Sequence, residues 1–327
     1  MNGLAVVGKI TEIMTIPNAD RIVLATAVCG KGGIWRGVVK ADSKLDDIVV
    51  VFQPDALLPS DNPAFSFMES SGYRVRQRRF RGAPSESLIM PISEVIYGGD
   101  FVIGQDVSDC LRIDKYEKPV SVSIGGEVKG DFPEFVPKTD EPNFQKVTEM
   151  FSVMIGRPYY VTMKMDGTST TAYRRNGVFG VCSRNLELKE GSGAGWLVAK
   201  KYNLGEMLPD GYAIQFEVCG PGIQKNPISL KSIDGYAFQL WNIAEKRYLD
   251  FDEFASSKIM PTVPIVKTGE EFNFTPDSIQ SLAEDLKYPN GKPAEGIVCR
   301  PTRELSAMIN MESTRISFKV INLRYKD

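Results

Sequence analysis

Apolar and polar residues alternate with a period of two through much of the first hundred positions. LAVVGKITEI (4–13) is followed by a turn at Pro17-Asn18-Ala19-Asp20, and then by RIVLATAVCG, IWRGVVK and DDIVVVFQP. A period of two places successive side chains on opposite faces, so each run reads as a β-strand. Short strands separated by turn residues predict a small barrel over residues 1–115. Residues 116–140 (YEKPVSVSIGGEVKGDFPEFVPKTD) hold no sustained period and are rich in Pro, Gly and charge, the pattern of a linker or wrapping segment. From 141 to 327 strand patterns mix with helical ones. In TPDSIQSLAEDLKY, Thr275 stands as N-cap, Pro276 takes the first helical position, and apolar spacing follows.

Composition narrows the chemistry. The 327 residues suffice for two domains, and 43% hydrophobic with 24% charged residues suit a globular chain. The N-terminal MNGLAVVGKITEI lacks a basic region followed by an apolar block, so no secretory leader is expected, and no apolar run reaches the length of a membrane span. Five scattered cysteines (29, 110, 182, 219 and 299) form no C-x-x-C pair. Neither a disulfide framework nor a zinc site is indicated, and the reducing cytoplasm is the expected setting. There is no histidine at all. That removes Ser-His-Asp and Cys-His hydrolases, His-ligated metals and imidazole acid–base catalysis. Catalysis must then run on Lys, Arg, Asp, Glu, Tyr or a carboxylate-held metal.

The formal net charge of −2 gives no bulk basicity for nucleic-acid binding, so any such site must be local. The barrel region contains one candidate, YRVRQRRFRG, with Arg74, Arg76, Arg78, Arg79 and Arg81. In a strand, Arg74, Arg76 and Arg78 share one face and form a basic stripe suited to phosphates. An edge strand guarded by charge has the same sequence.

The segment PYYVTMKMDGTSTTAYRRNGVFGVCSRN carries the strongest chemical signal. A β-prone strand leads into Lys164-Met165-Asp166-Gly167, and Asn176-Gly177 marks a two-residue hairpin turn. That turn pairs Arg175 with Val178 and sets Arg184 opposite Ser169. Lys164, Asp166 and Arg184 then gather at one end of a hairpin, a combination suited to handling phosphate. K-x-D-G by itself carries little information. Further segments follow in chain order: Glu217 in AIQFEVCG, Phe238 in GYAFQLWNI, Glu295 in AEGIVCR and Lys319 in RISFKVIN.

This ordered series resembles nucleotidyl motifs I, III, IIIa, IV and V of the covalent nucleotidyltransferase superfamily of DNA ligases, RNA ligases and capping enzymes. Ser183-Arg184-Asn185 fits its motif Ia. The stretches NADRIVLATAVCG, WRGVVK and the V-V-V-F strand near PDALLP resemble the OB-type barrel of tRNA-binding modules. An OB module placed first, the PKTDEP linker and the GPGIQKNP run after Glu217 resemble one subgroup, the ATP-dependent RNA ligases with an N-terminal OB domain (Deinococcus/Naegleria type). The likeness spans essentially the whole chain. The fold class it implies is α+β. An OB-type β-barrel (1–115) and a linker (116–140) would precede a mixed, largely antiparallel nucleotidyltransferase, or adenylyltransferase, domain (141–327). The superfamily usually carries K-x-K in motif V, whereas here Ser317 and Ile321 flank Lys319, and Lys326 lies seven residues on.

The resemblance implies a reaction. Lys164 would take AMP from ATP, pass it to a 5′-phosphate, and a 3′-OH made of RNA would close the nick, with RNA repair as the role. An exposed lysine is neutral in roughly one molecule in a thousand or fewer at pH 7. Burial, Lys319 as a neighbouring cation, and a metal are expected to favour the neutral amine. Asp166, Glu217 and Glu295 are the expected holders of Mg²⁺ or Mn²⁺, since hard cations prefer carboxylate oxygen, and one of them is implied to grip the ribose instead. Phe238 is expected to stack on adenine, and Arg184 to contact the ribose or the 5′-phosphate. Lys225, in GIQKNP, is a further phosphate candidate. RNA or an RNA-containing nicked duplex is the expected partner, the protein a monomer with no membrane association. Two rivals share these residues: a capping-type guanylyltransferase, and a non-catalytic RNA-binding OB protein. Only Val320–Asp327 follow Lys319, so help with attack on the triphosphate is expected from elsewhere, the arginine stripe being one source.

Overall fold

A computed structural model describes residues 3–117, 125–309 and 312–326. Two compact units divide the chain. One holds 1–117 with 143–148 and 322–324; the other holds 118–142, 149–321 and 325–327.

The first unit is an OB barrel. Its sheet runs in the order Ile34–Lys40, Ile22–Val28, Ala5–Thr15, Ile48–Phe52, Leu88–Pro91, with every neighbour antiparallel. The four strands read from the alternating pattern are the first four in this sheet. It curls on itself: Glu86 N–H donates to the Arg36 carbonyl at 2.9 Å, and the Glu86 carboxylate pairs with the Arg36 guanidinium at 2.7 Å. The strand Ala5–Thr15 is buried on both faces in its first half because two apolar clusters sandwich it. Val7 and Phe52 lie in one cluster, Val6, Ile10 and Trp35 in the other.

The arginine run differs from the single strand expected. Arg74 forms an isolated bridge to Leu57, and regular strand resumes only at Arg78–Phe80, which pairs with Ala83–Ser85. Arg74 is spent internally, on Asp55 at 2.7 Å and against the Tyr116 ring at 4.1 Å. Arg76, Arg78, Arg79 and Arg81 stay exposed. The left-handed backbone at Arg81 and Gly82 turns the chain, which period-two reasoning does not anticipate.

The second unit stands on two antiparallel sheets. The larger has the order Val128–Asp131, Leu186–Leu188, Val178–Cys182, Thr168–Arg175, Tyr212–Cys219, Asp234–Asn242, Arg247–Tyr248. The smaller runs Ile265–Gly269, Tyr159–Lys164, Gly296–Pro301, Phe318–Ile321. Asn176 and Gly177 both take positive φ (53° and 74°), the requirement of a tight hairpin turn whose twist matches the strands. Register follows: Arg175 faces Val178, and the pairing continues to Thr171 with Cys182. There the ladder stops, before Arg184 and Ser169. The helix Pro276–Asp285 begins at Thr275, whose hydroxyl accepts from Ser278 N–H. Gln280 of that helix donates to the Ile321 carbonyl at 2.9 Å, tying it to the smaller sheet.

The segment read as a linker has structure of its own beyond 118–124, which lie outside the described residues. Val128–Asp131 is the edge strand of the larger sheet. Residues 135–142 then form a strap across unit-two strands. Trp241 Nε1 donates to the Phe135 carbonyl (3.0 Å) and Gln215 Nε2 to that of Pro137 (2.7 Å). Arg300, 2% exposed, holds Glu141 at 2.7 Å and donates to Ser317 Oγ at 3.1 Å. Burial pushes the Glu141 carboxyl up, but the Arg300 and Arg315 guanidiniums outweigh that and keep it below its ordinary 4.5.

Breaking a buried pair by removing one partner leaves an uncompensated charge, so Arg300→Ala is expected to cost about 3–5 kcal/mol. Urea unfolding at pH 7 checks this; a loss under about 1 kcal/mol would contradict it. The Glu141 contribution is complete above its unfolded value near 4.5 and is lost as pH falls through the lower folded value. The wild-type advantage over the variant is therefore expected to shrink in acid below pH 4.5.

Candidate active site

Lys164 ends the strand Tyr159–Lys164, and its last ladder partner is Gly296, the residue after Glu295. This pairing brings Lys164 Nζ to 2.7 Å from Glu295 Oε1. Both side chains are partly screened from solvent, 27% and 15% exposed. Glu217 comes from Tyr212–Cys219, where it faces Ser169 across the ladder. Asp166 is 5% exposed, and its Oδ2 accepts from the Tyr325 hydroxyl at 2.5 Å. Burial alone would push the Lys164 ammonium down. The Glu295 and Glu217 carboxylates, with Asp166 behind them, outweigh it, and the net direction is up. The resting side chain is an ammonium held by acids.

Burial thus acts in the expected direction, toward the free amine, and the carboxylates outweigh it. Lys319 lies on Phe318–Ile321, and its Nζ faces Asp140 at 3.5 Å. Arg184 reaches the same carboxylate at 3.2 Å. Asp140 of the strap thus draws the motif Ia and motif V cations to one point. It stands in the quoted PKTDEP run, but nothing in that run marks it as a partner of two residues 44 and 179 positions away. Phe238 is half-buried and packs against an apolar cluster that includes Met163, Met165 and Tyr288. Lys225 is exposed on the loop after Glu217. Gln224 anchors that loop by donating to the Gly167 carbonyl at 3.1 Å. Arg74, Arg76 and Arg78 belong to the OB unit.

The donor set around Lys164 is hard oxygen. Burial first, then the Glu217 and Asp166 carboxylates, push the neighbouring Cys219 thiol up, so it stays protonated and is no thiolate ligand. Among the described residues no three His, Cys, Asp or Glu side chains converge closely enough to hold a metal ion alone. A divalent cation drawing on Asp166, Glu217 or Glu295 would complete its shell with water and phosphate oxygen, the usual habit of Mg²⁺.

A β-barrel of OB type, a mixed antiparallel unit, and a strand-end lysine ringed by acids are the make-up of a covalent nucleotidyltransferase. The RNA ligase family model matches residues 157–321, and an OB-fold domain model matches residues 4–92. The chain belongs to the RNA ligase family. It is similar over its whole length to solved structures of Naegleria gruberi RNA ligase. The TM-scores are 0.82 for a lysine mutant with ATP and Mn, 0.81 for a glutamate mutant with AMP and Mn, and 0.82 for the ligase with PPi. Each shares 29% identity, over 98% of this chain and 97% of the other. The comparison with curated proteins gave no match. Among the described residues no helix is long and apolar enough to cross a membrane.

The K-x-D-G glycine is a steric requirement. A Cβ on Gly167 would lie 2.3 Å from the Val218 carbonyl oxygen and 2.9 Å from Glu217 Cγ. Gly167→Ala must therefore shift the Lys164 loop away from the Glu217 strand. A displacement near 1 Å is expected to slow lysyl-AMP formation roughly 10²-fold. Single-turnover label transfer from ATP measures it, and a rate matching wild type would refute the steric account.

Proposed function

We propose that this chain seals nicks in RNA-containing duplexes with ATP, through an AMP adduct on Lys164. The observation that carries the reading is the strand-end Lys164 locked to Glu295 within reach of Glu217 and Asp166. It is supported by family membership and by the Naegleria structures, which hold ATP, AMP and PPi, the nucleotide reactant and the two small products of the overall ligation.

Three phosphoryl-type transfers follow. Lys164 Nζ attacks the α-phosphorus of ATP, the bond to pyrophosphate breaks, and a phosphoramidate to AMP forms. A 5′-phosphate then attacks the adduct, freeing Lys164 and giving a 5′–5′ anhydride. The RNA 3′-OH finally attacks the activated 5′-phosphate and expels AMP. Such steps gain most from positioning and charge stabilisation. Bound Mg²⁺ or Mn²⁺ would neutralise phosphate charge and compete with the ammonium for the same carboxylates. As those carboxylates turn to other partners, the restraint that holds the Lys164 proton weakens.

Phe238 offers its half-buried ring to the adenine, and one carboxylate takes the ribose. Arg184 and Lys319, gathered on Asp140, exchange that carboxylate for the phosphates of the nucleotide or the 5′ end. Lys225 adds a positive charge on the neighbouring loop. In the OB unit, exposed Arg76, Arg78, Arg79 and Arg81 meet the RNA backbone, while Arg74, bound to Asp55, supports the fold. The guanylyltransferase and non-catalytic rivals gain no observation in their favour.

Incubation with α-labelled ATP or GTP is expected to label the wild type with AMP only, and Lys164→Ala not at all. Challenge with nicked duplexes is expected to give sealing when the 3′-OH side is RNA. Equal sealing with DNA there would overturn the RNA assignment, and GTP labelling would overturn the ligase one. For the arginines, Arg78→Ala with Arg81→Ala is expected to reduce the salt slope of RNA binding by about 2 and to leave lysyl-AMP formation intact. An unchanged slope would remove this patch from the RNA interface.

A further inference from the structure

Three backbone groups that frame Lys164 converge on one side-chain oxygen. Tyr288 is 2% exposed. Its hydroxyl accepts from the Asp166 N–H at 3.1 Å and the Glu295 N–H at 3.2 Å, and donates to the Lys164 carbonyl at 3.4 Å. A phenol has one proton and two acceptor positions, so these bonds use its full capacity.

The location gives the arrangement its meaning. The ladder between Tyr159–Lys164 and Gly296–Pro301 ends at the pair Lys164–Gly296. Beyond that rung the backbones part, and the functional side chains Asp166 and Glu295 sit on the parted ends. The Tyr288 oxygen binds both ends where the next rung would have been. Tyr288 is itself fixed. Its N–H donates to the Lys292 carbonyl and its carbonyl accepts from Gly291 N–H, each at 2.8 Å. Asn290 in the same turn donates to the Pro227 carbonyl at 2.7 Å and to Ser229 Oγ at 2.9 Å. The loop carrying Lys225 is thereby tied to the same support.

We propose that Tyr288 is a positioning residue for the adenylyl transfer: its hydroxyl sets the separation of the strand ends that carry Lys164 and Glu295, and so aims Nζ at the α-phosphorus. It touches neither ATP nor RNA. The inference rests on Lys164 being the nucleophile. Without the hydroxyl, two buried N–H donors lose their acceptor and the strand ends are free to separate. Alignment then suffers more than nucleotide binding, because Phe238, the ring offered to the adenine, lies on a different strand, Asp234–Asn242.

The test uses Tyr288→Phe, which removes one atom and keeps the ring. Single-turnover AMP transfer at saturating ATP gives the chemical rate. Equilibrium ATP binding is measured in the Lys164→Ala background, with and without Tyr288→Phe, so that no adduct forms. Far-UV circular dichroism and melting report the fold. The expected result is a rate lower by about fivefold or more, ATP affinity within about twofold, and an unchanged spectrum. A smaller loss of rate would overturn the inference, as would affinity falling in step with rate or a variant that does not fold. Wild-type label with an undiminished Y288F rate defeats the inference alone; absence of wild-type label defeats the nucleophile reading beneath it.

Discussion

The ion pair between Lys164 and Glu295 is the constraint around which the second unit is arranged. An ammonium and a carboxylate 2.7 Å apart and largely withdrawn from water attract strongly, but each has lost hydration. Such a pair persists only when neighbouring groups satisfy the charges. Glu217 and Asp166 supply further negative charge, and Asp166 is itself satisfied by Tyr325. The site at rest therefore holds an excess of acid over base, a suitable state for receiving a cation together with the phosphates of ATP. The same excess raises the Lys164 ammonium above its ordinary value.

Keeping four charged side chains in register falls to backbone rather than to side-chain packing. Lys164 and Glu295 sit at the ends of adjacent strands, Glu217 lies on a strand of the other sheet, and Asp166 occupies the loop between them. Gly167 lets that loop lie against Val218 and Glu217, where a methyl group would collide. The strap 135–142 crosses the same strands and delivers Asp140 to Arg184 and Lys319. Glu141, the next residue, is anchored on buried Arg300. A carboxylate on a fixed strap pre-assembles two cations that would otherwise repel each other.

Much of the scaffold was legible in the sequence because period-two alternation and turn residues act locally. The first four strands of the barrel, the Asn176-Gly177 turn with its register, and the Thr275 cap each depend on residues within a few positions of one another. The ordered motif series was legible by resemblance. Three features were not. The arginine run reads as a strand, but left-handed backbone at Arg81 and Gly82 and the pairing of Arg74 with Asp55 divide it into parts with different roles. The linker composition concealed an edge strand, which pairs with Leu186–Leu188, and a strap whose carbonyls accept from the Trp241 and Gln215 side chains, partners far along the chain. Lys319 is legible as a candidate cation, but its contact with Asp140, 179 positions away, is not marked in the sequence.

The sequence alone determined which elements form and which chemistry is possible: no histidine, a lysine followed by a carboxylate and a glycine, and two glutamates waiting at strand ends. Local sterics and side-chain periodicity are sufficient for that. Only the tertiary structure decided how the charges are shared: Glu295 on Lys164, Asp140 on both Arg184 and Lys319, Glu141 on Arg300, and the Tyr288 oxygen across three backbone groups. Electrostatic and hydrogen-bond partners are chosen by distance in space. Distance between residues more than a hundred positions apart is fixed only once the sheets have formed.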